Sequence, residues 1–222
     1  MPPVGRLHLI TDTRPGRDPL AVLRAALTVP ALAPLGPLMV QVRVEDDWTD
    51  RQAYELAQAA VQLCAASGAV CLVNDRVDVA LAVGAAGVHL GADDLPVEVA
   101  RRLLGPGAVI GATARGPDGA LAALEAGASY LGVGPAYPTT TKDGLPDSIG
   151  PSGVAAVAAA TRLPVVAIGG VTADRAPGLL AAGAYGVAVV GAVSAAADPA
   201  QALARLVSCL SSAFDGSGAG AR

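Results

Sequence analysis

The chain has 222 residues, of which 53% are hydrophobic, 15% charged and 3% aromatic, a composition that supports a sizeable core and excludes a disordered protein. A net charge of −4 without a basic cluster argues against a nucleic-acid surface or a polybasic membrane patch. The apolar runs are far shorter than the about 18 residues that span a bilayer, and residues 1–3 begin no signal peptide, so we expect a cytoplasmic protein with no membrane partner and a small-molecule ligand.

Eight short runs rich in Val, Ile and Leu alternate along the chain with Ala-rich amphipathic segments. The runs lack polar–apolar alternation, which indicates parallel strands covered on both faces. The predicted strands are residues 7–12, 38–44, 70–75, 87–91, 109–113, 130–135, 165–170 and 186–191. A helix is predicted after each strand, and capping residues mark the starts of three of these helices, at 49–67, 96–104 and 198–214.

An internal repeat supports this count of strand–helix units. Gly84, Gly127 and Gly183 each lie just before a predicted strand, where a glycine ends the preceding helix. Eight such units in just over 200 residues fit a (β/α)8 barrel better than an open doubly wound sheet. We therefore predict an α/β fold with a single TIM-barrel domain over residues 1–214 and a flexible Gly/Ser-rich tail over 215–222.

Acidic residues follow two neighbouring strands of the predicted barrel. Asn74 and Asp75 end the third strand, and Asp93 and Asp94 follow the fourth. Because neighbouring strands lie about 4.8 Å apart, Asp75 and Asp94 can approach one point on the active face of the barrel. Mg²⁺ prefers one or two carboxylates plus water and phosphate oxygens, so the pair predicts a magnesium site. The alternative is that each aspartate only caps the helix that follows it.

The loop after the sixth strand resembles a phosphate-binding segment. It presents the hydroxyl groups of Thr139, Thr140 and Thr141 followed by Lys142, the one lysine beside 14 arginines. A compact ammonium charge next to three hydroxyls suits a phosphate, although a solvated loop lysine remains the alternative.

Glycines end the last two predicted strands. Gly169 and Gly170 follow the seventh strand, and Val190 and Gly191 end the eighth. Glycines there let backbone N–H groups approach a phosphate closely, at a position where barrel enzymes often bind one.

The histidines and cysteines indicate no further chemistry. His8 and His89 fall inside predicted strands, and no nucleophile–histidine arrangement occurs at the strand ends, which disfavours hydrolytic chemistry. Cys64, Cys71 and Cys209 are unpaired in spacing and lie in apolar stretches, so we predict buried thiols rather than a disulfide or a zinc site.

Several short motifs, taken together, resemble one known family over residues 7–197. They are LITD at 9–12, QVR at 41–43, NDRVDVA at 74–80, GVHLG at 87–91 with Asp94, GVGP at 132–135, PTTTKD at 138–143 and AIGG at 167–170. The sequence is similar to the thiamine-phosphate synthase and thiazole tautomerase family of small barrels, and closest to the synthases. The resemblance implies an alkyl transferase that joins 4-amino-5-hydroxymethyl-2-methylpyrimidine diphosphate to a thiazole phosphate and releases pyrophosphate.

The resemblance also implies a role for each matching residue. It implies that the pyrimidine diphosphate is bound by Gln41, Arg43, Asn74 and Lys142, with Thr113 near the pyrimidine in place of a family serine. It implies that Asp75 and Asp94 hold Mg²⁺, and that the thiazole phosphate is bound by Thr139, Thr141, Gly170, Val190 and Gly191. Catalysis would then depend on Arg43, Lys142 and Thr113, because a departing pyrophosphate needs positive charge more than a strong base.

Four residues depart from the family pattern. Glu45 stands where the pattern QxRxK has a lysine, Ala92 replaces a glutamine, Arg115 replaces a histidine and Gly191 replaces a serine. Glu45 would place a like charge near the diphosphate unless it turns outward or a basic residue such as Arg14 or Arg115 compensates. Two alternatives therefore stay open, a tautomerase-like barrel enzyme and a non-catalytic binding relative, and the sequence also leaves open whether the chain forms a homodimer.

Overall fold

The computed structural model describes residues 3–30, 35–141, 144 and 146–217. Its eight strands are β1 (Leu7–Ile10), β2 (Met39–Val42), β3 (Val70–Asn74), β4 (Gly87–Leu90), β5 (Val109–Ala114), β6 (Tyr130–Val133), β7 (Val165–Ala167) and β8 (Gly186–Val189). They are parallel, pair in chain order, and close where β8 pairs with β1. The predicted TIM barrel is confirmed.

Helices follow the strands around the outside of the barrel. They are α1 (Pro19–Ala26), α2 (Asp50–Ser67), α3 (Val77–Val83), α4 (Val97–Leu104), α5 (Pro117–Glu125), α6 (Gly150–Ala160), α7 (Ala176–Ala181), α8 (Gly191–Ser194) and α9 (Pro199–Ser217). The sequence did not predict α8, since residue 191 was assigned to a strand. Helix α9 extends three residues beyond its predicted end, and residues 218–222 lie outside the described residues, so the flexible tail stays a prediction.

Side-chain capping explains where α2 and α9 begin. The Thr49 hydroxyl accepts a hydrogen bond from the Gln52 backbone N–H at 3.3 Å, and the Gln52 side chain accepts from the Thr49 N–H at 2.9 Å. This reciprocal pair fixes the start of α2 at the predicted position. The Asp198 carboxylate accepts from the Gln201 N–H at 2.9 Å and caps α9 in the same way.

Two hydrophobic cores position the site. The larger one lies between the barrel and its helices and is built from Leu, Val and Ala side chains. The smaller one fills the barrel interior and consists of Ile10, Met39, Leu72, Val109, Tyr130, Val166 and Ala188. Because these side chains fill the interior, the barrel is a packed core, and in this fold ligands usually bind at the carboxyl ends of the strands.

The cysteines are unbridged, as predicted: Cys64 and Cys71 are buried and Cys209 is half-buried. Among the residues that the structure describes, no helix combines the length and apolar character needed to cross a bilayer.

Candidate active site

A cavity of about 490 Å³ opens at the carboxyl ends of the strands. Its volume suits a small-molecule substrate, and Ile10, Tyr130, Val166 and Ala188 of the interior core form its floor. All of the predicted site residues within the described ranges line it: Gln41, Arg43, Asn74, Asp75, Asp94, Thr113, Thr139, Thr140, Thr141, Gly170, Val190 and Gly191. Lys142 lies outside the described residues.

The amide side chains of Gln41 and Asn74 are hydrogen-bonded to each other where β2 and β3 end. The Gln41 side chain is 4% exposed, and its Nε2 donates a hydrogen bond to Asn74 Oδ1 at 2.5 Å. With its oxygen engaged, Asn74 presents its amide nitrogen to the cavity as a donor. The pair is therefore suited to bind an anionic or acceptor-rich ligand.

Arg43 is bound by the residue that departs most from the family pattern. Its Nη1 and Nη2 donate to Glu45 Oε1 and Oε2 at 2.8 and 3.2 Å, a fork-to-fork ion pair. Arg43 lines the cavity, whereas Glu45 does not. Of the two orientations that the sequence left open, the structure shows Glu45 paired with Arg43 rather than lining the cavity, so its carboxylate offsets the charge of Arg43.

The acidic pair lies where the sequence predicts it. The Asp75 N–H donates to the His89 carbonyl at 2.8 Å, and Asp75 has a positive φ of 62°. The Asp94 carboxylate accepts from the Gly91 N–H at 2.6 Å, so its orientation is set by the end of β4. Both residues line the cavity, at the ends of the neighbouring strands β3 and β4.

The capping alternative for these aspartates is wrong. Helix α3 begins after Arg76 and α4 after Pro96, and neither helix has a side-chain cap. Within the described ranges, no group of three or more acidic, histidine or cysteine side chains could hold a metal ion. Two carboxylates fit a cation that keeps most of its coordination positions for water and phosphate oxygens, as Mg²⁺ does.

The loop after β6 meets the ends of β7 and β8. The hydroxyl groups of Thr139 and Thr141 lie 3.1 Å apart, and the Thr141 N–H donates to Thr139 Oγ1 at 3.3 Å. A side chain at Gly191 would place its Cβ 3.7 Å from Thr141 Oγ1. The predicted phosphate-binding hydroxyls and the glycine after β8 therefore line the same corner of the cavity.

Gly170 permits this close packing. Its φ is +62°, and an added Cβ would lie 2.6 Å from the Pro138 carbonyl oxygen and 2.8 Å from Tyr137 Cβ. The Tyr137 N–H also donates to the Gly169 carbonyl at 3.0 Å. Only glycine combines this backbone conformation with so near a neighbour.

A buried carboxylate connects the end of β1 to this corner. Asp12 is 2% exposed and accepts from Arg14 Nε and Nη2, both at 2.8 Å, and from Ser194 Oγ at 2.7 Å. Arg14 in turn donates to the Thr140 carbonyl at 3.3 Å. The hydrogen bonds from Arg14, against a smaller opposing effect of burial, lower the pKa of Asp12 to about 2.

The residues that line the cavity without having been assigned a site role from sequence include His89, Tyr130 and Arg175. Arg175 donates to the Gly170 carbonyl at 2.8 Å, and its guanidinium carbon lies 4.8 Å from the centre of the Tyr137 ring. His89 lines the cavity although it lies inside a strand; whether the histidines take part in the chemistry stays a prediction. His8 is buried, which lowers its pKa to about 3 and keeps it uncharged at neutral pH.

The replacements at Ala92 and Arg115 also lie at the cavity. Both residues line it, and Arg115 donates to the Asp147 carbonyl at 2.8 Å. An arginine is permanently cationic and cannot shuttle protons near neutral pH as a histidine can.

Comparison with known proteins agrees with this geometry. A family model described as thiamine monophosphate synthase matches residues 7–193. The chain is 64% identical to a thiamine-phosphate synthase from Salinispora arenicola and 62% identical to one from Salinispora tropica, each over 95% of this chain and 99% of the relative. A solved structure of thiamine phosphate pyrophosphorylase from Pyrococcus furiosus superposes with a TM-score of 0.81 at 36% identity, covering 94% of this chain and 96% of that one. The chain belongs to the thiamine monophosphate synthase family.

Proposed function

We propose that this chain joins a hydroxymethylpyrimidine diphosphate to a thiazole phosphate, forming thiamine phosphate and pyrophosphate. One observation above all supports this proposal: two carboxylates, an arginine and an amide pair line one side of a single cavity, while hydroxyl groups and glycine backbone line the other. Such a cavity has two different anion subsites, which suits a reaction between two phosphorylated substrates. The family relatives described above are named as synthases of this type.

On the β2–β4 side, the chain's own residues would bind and stabilise the diphosphate. The guanidinium of Arg43 and the amide nitrogen of Asn74 would donate to its oxygens. Lys142, which follows Thr141 in the sequence and lies outside the described residues, would add a second cation. As the bond between the methylene carbon and the diphosphate oxygen breaks, the electron pair leaves with pyrophosphate. These donors stabilise the charge that develops there, which is the largest contribution a site of this kind can make.

The same acidic pair would hold Mg²⁺. Asp75 and Asp94 come from neighbouring strands and line the cavity, and one oxygen of Asp94 is already oriented by the Gly91 N–H. A bound Mg²⁺ would neutralise charge on the departing pyrophosphate oxygens.

The opposite side would hold the thiazole phosphate. The hydroxyl groups of Thr139 and Thr141 and the backbone N–H groups of Gly170, Val190 and Gly191 supply donors without a bulky side chain. With its phosphate anchored there, the thiazole nitrogen can approach the methylene carbon and use its lone pair to form the new C–N bond. That nitrogen has no proton to lose, so the step needs positioning rather than a protein nucleophile or a strong base.

The test is direct. We expect incubation of the protein with both substrates and Mg²⁺ to give equimolar thiamine phosphate and pyrophosphate, and chelation of Mg²⁺ to reduce the rate by a factor on the order of 10²–10³. If no thiamine phosphate forms either with or without Mg²⁺, the proposal is wrong. Tight binding without turnover would then identify a binding relative, and conversion of one thiazole phosphate tautomer into another would identify a tautomerase.

Two wider expectations stay predictions: that the protein works in the cytoplasm on small molecules alone, and that any dimer it forms is a homodimer.

A further inference from the structure

A chain of three polar side chains crosses the floor of the cavity. His89 Nδ1 lies 3.0 Å from the Tyr130 hydroxyl oxygen, and His89 Nε2 lies 3.1 Å from Thr113 Oγ1. Tyr130 is 1% exposed, whereas Thr113 is exposed to the cavity that it lines. The three residues therefore connect the buried interior of the barrel to its ligand space.

Strand register makes this contact possible. His89 pairs with Gly111, and Gly111 pairs with Tyr130, so all three positions face the barrel interior. A Cβ at Gly111 would overlap both the His89 and the Tyr130 rings, and one at Gly132 would lie 2.7 Å from His89 Cε1. Two glycines on β5 and β6 thus make room for two rings that a barrel packed with aliphatic side chains could not hold.

The buried hydroxyl of Tyr130 determines how the hydrogen bonds in this chain are assigned. Among the described residues, His89 Nδ1 is the hydrogen-bond partner of the Tyr130 hydroxyl. Burial raises the pKa of Tyr130 and keeps the phenol protonated. A buried hydroxyl must donate its proton somewhere, so Tyr130 donates to Nδ1. With Nδ1 as the acceptor, the matching His89 tautomer carries its proton on Nε2 and donates it to Thr113 Oγ1.

The oxygen of Thr113 is therefore used as an acceptor, and its own O–H is left to donate into the cavity. We propose that the Tyr130–His89–Thr113 chain fixes Thr113 as a hydrogen-bond donor and thereby selects an aromatic ligand that presents a ring nitrogen acceptor at that point. The inference rests on the proposed function, because a pyrimidine has such nitrogens. It assigns His89 and Tyr130 as positioning residues, which act on the ligand through Thr113.

The experiment compares ligands that differ in one atom. The probes are 4-amino-5-hydroxymethyl-2-methylpyrimidine and its two pyridine analogues, in each of which one ring nitrogen is replaced by C–H. Binding is measured by calorimetry in the presence of Mg²⁺ and pyrophosphate, where no turnover occurs. We expect the wild-type protein to bind the pyrimidine about tenfold more tightly than one of the two analogues, the value of one well-placed hydrogen bond.

Tyr130→Phe keeps the ring but removes the donor to His89, so Thr113 can turn its proton towards Nε2. We expect the tenfold preference to fall to about twofold or less, because the ligand nitrogen loses its donor. The matched control is Tyr185→Phe, which removes a phenol hydroxyl bound to the Val4 carbonyl at 2.8 Å outside the cavity and should keep the preference. Equal weakening of all three ligands by Tyr130→Phe would show a packing role and overturn the proposal.

Because Tyr130 is buried, its substitution could also destabilise the core. Two variants of the exposed Thr113 test the same proposal without that effect. Thr113→Ser retains the hydroxyl and should keep the preference, whereas Thr113→Val removes it and should abolish the preference. Retention of the preference by Thr113→Val would overturn the proposal, as would a wild-type protein that shows no preference. A wild-type protein that shows the preference but makes no thiamine phosphate would refute the proposed function and leave this inference standing.

Discussion

The two sides of the cavity differ in the chemical groups that they offer a ligand. The charged side, at the ends of β2–β4, consists of Gln41, Arg43, Asn74, Asp75 and Asp94. The backbone side, after β6–β8, consists of Thr139, Thr141, Gly170, Val190 and Gly191. The first depends on side-chain charge, which a substitution can remove without changing shape. The second depends on shape, which a single added methyl group can change without altering charge.

The largest effect is expected from removing one charge on the charged side. Asp94→Asn keeps an oxygen that can accept from the Gly91 N–H but removes the negative charge proposed to hold Mg²⁺. We expect kcat to fall by roughly 10²–10³-fold, with a higher Mg²⁺ requirement and an unchanged circular dichroism spectrum. The matched control is Asp93→Asn, a neighbouring exposed carboxylate that does not line the cavity. Equal activity of the two variants would remove Asp94 from the site.

The second effect comes from adding one methyl group to the backbone side. In Gly170→Ala the new Cβ would lie 2.6 Å from the Pro138 carbonyl oxygen at a φ of +62°, so the loop that carries the threonines must move. We expect kcat/KM for the thiazole phosphate to fall about fiftyfold, with little change in the affinity for pyrophosphate. Gly107→Ala, where an added Cβ meets no atom within 4 Å, is the control. A parallel loss of pyrophosphate affinity would show that the two sides are not separate.

The third prediction concerns the contact between the end of β1 and the backbone side. The pKa of Asp12 is about 2, below its ordinary value of 3.8, so its ionised form stabilises the folded state. That stabilisation is complete above the ordinary pKa and is lost as the pH falls towards 2. We expect Asp12→Asn to lower the free energy of unfolding by about 2 kcal/mol at pH 7 and by far less near pH 2. Urea unfolding at both pH values measures this, and a loss independent of pH would contradict it.

The strand ends were predictable from sequence because polar residues interrupt otherwise aliphatic runs at those points. The sequence alone therefore places Asp75, Asp94 and the threonine loop on one face of the barrel. Several strands were predicted too long at the point where the backbone stops pairing with the neighbouring strand. Strand β7, for example, was predicted to run to residue 170 but ends at Ala167, because Gly169 and Gly170 have positive φ angles that a strand does not adopt.

Residues inside the strands were not predictable in the same way. A strand buried on both faces shows no alternation, so the sequence does not say whether His89 points into the barrel or towards the helices. That direction follows from register with Gly111 and Tyr130, a property of the closed sheet. Glycines on the next two strands, Gly111 on β5 and Gly132 on β6, are a signal in the sequence that could have indicated space for a ring.

The smallest effect tests Glu45, one of the four departures from the family pattern, whose orientation the sequence left open. Because Glu45 pairs with Arg43 and does not line the cavity, we expect its negative charge to offset the charge that Arg43 offers a diphosphate. We expect Glu45→Lys to free Arg43, add a cation and tighten pyrophosphate binding about fivefold at low salt, with a smaller gain at high salt because the site is partly solvated. Asp46→Lys makes the same charge change at an exposed neighbour and should have less effect. If the two variants bind pyrophosphate equally well, the gain is a general charge effect and the Arg43–Glu45 pair has no specific influence on the diphosphate.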